Sequence, residues 1–163
     1  MEYIDLLASE RLDIRRFMPE DAANLCEYTR WRMATGFDLW EKWPTDIEGC
    51  KGVCGYFAGQ NNFWAVARKA EGKLIGFVSF NAVGPDGRLD MGHGFVPACV
   101  ESGEAQEALA RMIDYAMTLP GVTAVEARSP EEWAEQLAPL LALGFGPCET
   151  WRIMRRACWT GGR

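Results

Sequence analysis

Phe63-Trp64-Ala65-Val66-Ala67, Leu74-Ile75-Gly76-Phe77-Val78-Ser79-Phe80 and Leu89-Asp90-Met91-Gly92-His93-Gly94-Phe95-Val96 are three apolar-rich runs separated by short polar segments. They concentrate β-branched and aromatic side chains, which suit a pleated, half-buried surface. Residues 69–72 read as a turn, and Gly84-Pro85-Asp86-Gly87 is dense in turn formers. Loops this short join strands only in antiparallel fashion, so residues 63–96 predict a three-stranded meander.

Working outward toward the N-terminus, Leu12-Asp13-Ile14-Arg15-Arg16-Phe17 alternates apolar and polar, a strand with Leu12, Ile14 and Arg16 on one face. Pro19-Glu20-Asp21 opens a helix, with proline in its first turn and acids at the positive end of its dipole, running through Tyr28 to about Arg32. After the bulky stretch Phe37-Asp38-Leu39-Trp40-Glu41-Lys42-Trp43-Pro44, Thr45 and Glu48 have the spacing of a capping box. The helix they predict carries Ile47, Val53 and Phe57 but also Gly49, Gly52 and Gly55. Each glycine costs about 0.5–1 kcal/mol relative to alanine, and their recurrence suggests a closely packed neighbour.

Toward the C-terminus the period changes. Ala105, Ala108, Leu109, Met112, Ile113 and Ala116 fall at helical spacing until Pro120-Gly121 ends the helix. Residues 122–127 predict a strand, and Ser129 caps a helix beginning Pro130-Glu131-Glu132 and ending at Gly144, with Pro139 disturbing its middle. Trp151-Arg152-Ile153-Met154-Arg155 closes the sheet. The expected architecture is a single α/β domain spanning residues 1–163, with a mixed, mostly antiparallel sheet of roughly six to seven strands flanked by about four helices.

Composition bounds the function. The 163 residues are 48% hydrophobic and 25% charged, a globular mixture. A net charge of −6 speaks against a nucleic-acid binder, and Arg15-Arg16 and Arg155-Arg156 read as solvated strand surface. No apolar stretch approaches the ~20 residues of a membrane span, and the acidic start Met1-Glu2-Tyr3-Ile4-Asp5 lacks the pattern of a signal peptide. A cytoplasmic protein with no membrane partner is expected. Its six cysteines have no C-x-x-C pair and only one histidine beside them, so free thiols are expected rather than disulfides or a metal site.

The order of elements, together with local sequence, resembles the GNAT superfamily of N-acetyltransferases, in particular its ribosomal-protein N-terminal acetyltransferase branch. The resemblance rests on five stretches in order. They are Ala8-Ser9-Glu10-Arg11-Leu12-Asp13-Ile14-Arg15-Arg16-Phe17 followed by Pro19-Glu20-Asp21-Ala22; Trp64-Ala65-Val66; Gly72-Lys73-Leu74-Ile75-Gly76; Asp90-Met91-Gly92-His93-Gly94-Phe95-Val96-Pro97; and Leu141-Ala142-Leu143-Gly144-Phe145.

The resemblance implies transfer of an acetyl group from acetyl-CoA, without a metal, to a primary amine on a protein N-terminus or small molecule. It implies that a backbone N–H near Phe95 or Val96 polarises the thioester carbonyl. It also places the cofactor phosphates on the backbone of Glu101, Ser102, Gly103, Glu104, Ala105 and Gln106, at a helix N-terminus. The family's Gln/Arg-x-x-Gly-x-Gly/Ala pattern here reads Val100-Glu101-Ser102-Gly103-Glu104-Ala105. Val100 replaces the basic or amide residue, and Glu101 and Glu104 bring carboxylates that would repel a phosphate by about 2–3 kcal/mol at 6 Å and an effective dielectric near 20. Trp133 stands where the family places an asparagine against the cofactor, and Leu140 near its general-acid tyrosine.

For the amine's proton the candidates are Asp90 and His93. Residues 90, 92 and 94 share one strand face and His93 the other, so the two need not be partners; a strand-end carboxylate and a packing ring are the plainer readings. By the same resemblance Phe37, Trp40 and Trp43 wall the acceptor side, although core packing also explains the tryptophans. Three functions therefore stand: an acetyltransferase, a non-catalytic module of the same fold that binds a ligand or protein, and a transferase of a different acyl group, which the sequence does not separate from the first. An edge strand near the C-terminus leaves room for a homodimer.

Overall fold

The computed structural model describes residues 1–36, 42–130, 134–151 and 154–159, with side chains over 1–36, 42–129 and 136–146. Eight strands form one sheet: β1 (Leu6–Ala8), β2 (Leu12–Arg15), β3 (Phe63–Arg68), β4 (Leu74–Val83), β5 (Arg88–Phe95), β6 (Ala124–Pro130), β7 (Gly146–Trp151) and β8 (Met154–Trp159), in the spatial order β1-β2-β3-β4-β5-β6-β8-β7. Every pairing is antiparallel except β5 with β6. The expected meander is β3, β4 and β5.

Five helices cover the two faces. α1 (Ala22–Thr35) and α2 (Ile47–Ala58) bury Leu25, Cys26, Tyr28, Cys50, Cys54 and Phe57 against Ala65, Leu74 and Phe77. α3 (Pro97–Glu101), α4 (Glu104–Ala116) and α5 (Ala134–Ala142) close the other face over Leu12, Ile14, Trp64, Val66, Leu89, Met91 and Phe95. Strand alternation divides the two cores: Leu12 and Ile14 face α4, whereas Asp13 and Arg15 face away from it. Arg16, beyond the end of β2, still lies on the α4 face, its guanidinium 5.2 Å from the Trp64 ring centre.

Several boundaries differ from the sequence expectation. β1 has three residues, too few to show a period. α1 continues past Arg32 to Thr35 and stops at Gly36, which takes the left-handed conformation at φ 71°. The cap of α2 is Asp46 rather than Thr45, because its carboxylate Oδ1 accepts the Gly49 N–H at 2.8 Å. Gly49 meets a close neighbour, Pro44, whereas among the described residues nothing lies within 4 Å of an added Cβ at Gly52 or Gly55.

Ser129 is buried inside β6, which runs on to Pro130, and the helix start expected at Glu131-Glu132 lies outside the described residues. Pro139 lies within α5, as its sequence position implied. The closing strand expected over 151–155 is two strands, β7 and β8, meeting at Trp151 and Met154. β7 and β1 are the sheet edges.

Candidate functional site

The parallel pair β5–β6 is registered only at Arg88↔Ala124, Leu89↔Val125 and Asp90↔Glu126. Past that rung β5 keeps its pairing with β4 as far as Phe95, and β6 keeps its pairing with β8 as far as Pro130. The two strands therefore part, forming a fork in the middle of the sheet whose β5 side is residues 91–95.

Backbone direction along that side follows from the ladder. The Val96 N–H donates to Ile75 O at 3.1 Å, so Val96 is spent on β4. Antiparallel ladders alternate the direction of successive N–H groups. The amides of Phe95 and His93 consequently point away from β4, into the fork. Of the two carbonyl-polarising candidates, Phe95 has the suitable orientation. Its side chain is fully buried and opposes Gly76, where a Cβ would collide with the Phe95 ring.

His93 occupies the same side chain face as Phe95, with ring centres 6.4 Å apart. Its Nε2 lies 2.8 Å from the carbonyl oxygen of Gln136 on α5. A carbonyl only accepts, so Nε2 carries the hydrogen and Nδ1 keeps a lone pair in the neutral ring. Burial pushes the imidazole below its ordinary pKa, and the nearby positive charge of Arg32 pushes the same way against the Gln136 hydrogen bond. The ring is neutral at pH 7 and able to accept a proton.

Asp90 sits at the closed end of the fork, five residues from Phe95, or roughly 16 Å of extended strand. Asn81 Nδ2 and Arg128 Nη2 each approach its carboxylate at 3.5 Å. It lines a cavity of about 390 Å³ with Asp86, Arg88, Glu126 and Arg128. That distance rules out direct proton transfer to Asp90 from an amine held at Phe95.

The loop before α4 departs furthest from its sequence reading. Gly103 takes φ 79° and caps α4, and among the described residues the nearest side-chain atom to the place of an added Cβ is Arg11 Nη2, at 3.9 Å. Glu101, Ser102 and Gln106 are exposed and Ala105 is buried. Glu104 does not stand bare beside the loop as supposed. It is buried, receiving Arg68 Nε at 2.7 Å and Nη2 at 3.0 Å and the Ser102 hydroxyl at 2.8 Å. The Arg68 hydrogen bonds hold its pKa down to about 2. Its charge is cancelled within the protein.

On the opposite sheet face, Tyr28 packs on Gly94, where a Cβ would strike the phenol. Arg32 Nη1 donates to Tyr28 Oη at 3.3 Å, and the Arg32 guanidinium lies 4.9 Å from the Trp43 ring centre. Trp43 rests against Tyr28, Phe57 and Phe77, and its buried Nε1 has no hydrogen-bond partner among the described residues. Phe37, Trp40 and Trp133 lie outside the described residues. Cys99 and Leu140 are buried in the core; burial raises the Cys99 thiol to about 11 and leaves it inert.

Residues 11–145 match the sequence model of the acetyltransferase (GNAT) domain. The chain belongs to this GNAT family. A curated relative, the uncharacterized N-acetyltransferase p20 of Bacillus licheniformis, is 27% identical over 154 residues, covering 87% of this chain and 83% of the relative. A GNAT-family acetyltransferase from Bacillus anthracis superposes with TM-score 0.81 at 17% identity, over 95% of this chain and 98% of the other. The ribosomal-protein-S5-alanine acetyltransferase of Vibrio fischeri gives 0.71 at 18%, over 95% and 96%. The spermidine N-acetyltransferase of Vibrio cholerae, solved with CoA and spermine, gives 0.70 at 14%, over 93% and 96%.

In this GNAT domain, sequence reasoning missed Tyr28, Arg32, Arg68 and Gln136. Tyr28 and Arg32 are four apart on α1, and that spacing was the one signal available for them. Arg68 and Gln136 gave none, because their partners lie 36 and 43 residues away.

Proposed function

We propose that this GNAT domain moves an acetyl group from acetyl-CoA to a primary amine, on a protein N-terminus or a small molecule. The observation that carries the proposal is the β5–β6 fork, with the Phe95 amide turned into it beside a neutral His93. Acetyl-CoA, when bound, supplies a thioester whose C–S bond breaks as the acceptor nitrogen takes the acetyl group. The residues fit it: the fork offers unpaired strand amides, and Gly103 leaves open the space a Cβ would fill over the first amides of α4.

The Phe95 N–H donates to the thioester oxygen as negative charge develops there. His93 Nδ1 accepts the proton that the amine loses, while the Gln136 carbonyl holds the ring in that tautomer. Tyr28, Arg32 and Trp43 form the acceptor-side wall across Gly94, and Asp90 acts at a distance, on the far end of the acceptor. We place the reaction in the cytoplasm, where the buried thiols of Cys26, Cys50, Cys54 and Cys99 stay reduced.

The alternative of a non-catalytic module leaned on Val100, Glu101 and Trp133: Val100 and the exposed Glu101 still stand at the loop, and Trp133 lies outside the described residues. Calorimetric titration of acetyl-CoA, followed by thiol release across a panel of amines, tests the proposal. Saturable binding with amine-dependent release of CoA is expected. Absence of binding at millimolar acetyl-CoA would sink it.

A further inference from the structure

Arg11 begins the approach to β2, far in sequence from the loop before α4, yet its guanidinium is fixed at that loop. Nε donates to Glu107 Oε2 at 2.6 Å, while the Arg11 backbone N–H and the Ser9 hydroxyl donate to Glu107 Oε1 at 2.8 and 2.6 Å. The Nη edge is thereby turned to the loop. Nη1 donates to Ser102 O at 3.4 Å, and Nη2 lies 3.9 Å from the point a Cβ on Gly103 would occupy. The side chain remains 47% exposed.

Among the described residues no other side chain comes within 4 Å of that point, so the guanidinium borders the open space at the first turn of α4. Arg68, the other cation at the loop, is committed to Glu104. Val100 carries no charge where the family pattern has a basic or amide residue.

We propose that Arg11 supplies, from the other side of the loop, the cationic contact to the phosphates of acetyl-CoA that Val100 lacks. The inference rests on the acetyltransferase reading above. A guanidinium pinned at Nε and open at Nη presents its donors to a phosphate without first having to be ordered, and its planar fork suits phosphate oxygens.

The test is calorimetric affinity for acetyl-CoA at several salt concentrations, for wild type, Arg11→Gln, Arg11→Lys and Arg111→Gln. The last removes the same unit of charge from α4, where Arg111 binds Ala8 O. Arg11→Gln is expected to weaken binding about tenfold or more and to flatten the dependence of log Kd on log salt. Arg11→Lys should recover part of the loss, and Arg111→Gln should bind as wild type. Repeating the titration with 3′-dephospho-acetyl-CoA separates the two phosphate sources, since an unchanged Arg11→Gln effect assigns the contact to the diphosphate and a vanished one to the 3′-phosphate.

Equal affinity of Arg11→Gln and wild type would overturn the inference. So would a loss with an unaltered salt slope, which marks a loosened loop rather than a lost phosphate contact. Wild type that fails to bind acetyl-CoA overturns the acetyltransferase reading instead, a result distinct from either.

Discussion

Glu104 shows how a residue's meaning turns on its partner. Its carboxylate, held near pKa 2 against an ordinary 4.5, contributes stability that is present above about pH 4.5 and is lost as pH falls toward 2. Glu104→Gln should therefore lower unfolding free energy by about 1–3 kcal/mol at neutral pH, because it takes the bidentate partner from a half-buried Arg68 and leaves it the Glu71 carboxylate, 3.9 Å away. Urea titrations at pH 7 and pH 3 check this: the gap between the two proteins should narrow at the lower pH. A gap that is the same at both values would refute the linkage.

His93 makes a separate prediction at this scale. Because burial lowers its pKa below 6.5, kcat/KM should fall on acidification with a midpoint below that value, and His93→Phe should remove this limb while the fold persists. A pH–rate profile with the limb intact in the variant would assign the proton to water or to another group.

At the scale of elements, α2 is a helix that its own composition opposes. Asp46 offsets part of that cost at the first turn, and Asp46→Ala should destabilise the protein by about 1 kcal/mol. Gly52 and Gly55 have no neighbour among the described residues within 4 Å of an added Cβ. Alanine at either should stabilise by about 0.5–1 kcal/mol, read as a rise in the denaturation midpoint. A fall at either position would mean that the glycines serve a partner α2 meets in an assembly. Both predictions rest on tertiary burial of Cys50, Cys54 and Phe57 forcing the helix despite its glycines.

Across the molecule, the sheet carries one core on each face, and the parallel pair β5–β6 is where it opens. The chain keeps its strand direction from β5 to β6, crossing over through α3 and α4, so one side of the fork belongs to the meander and the other to the β6–β8–β7 unit. A ligand seated in the fork touches both halves and should stabilise them together. At one hundred times its Kd, acetyl-CoA is expected to add about 2.7 kcal/mol to unfolding, seen as a concentration-dependent rise in Tm in one cooperative transition. Described helices include none long and apolar enough to cross a membrane.

The meander, the alternation that divides Leu12 and Ile14 from Asp13, the amphipathic α4 and the order of elements were all legible in the sequence. Each follows from a period of 2 or 3.6 residues, and a period is a property of neighbours along the chain. The turn before α4 at Gly103 was legible too, as was the opposition of Asp90 and His93 on the two faces of β5. What the sequence could not convey is which groups meet across long separations. The neutralisation of Glu104 depends on Arg68, 36 residues earlier, and the tautomer of His93 on a carbonyl 43 residues later. The charge and protonation of a site are decided by what lies within about 4 Å, and those distances exist only once the chain has folded back on itself.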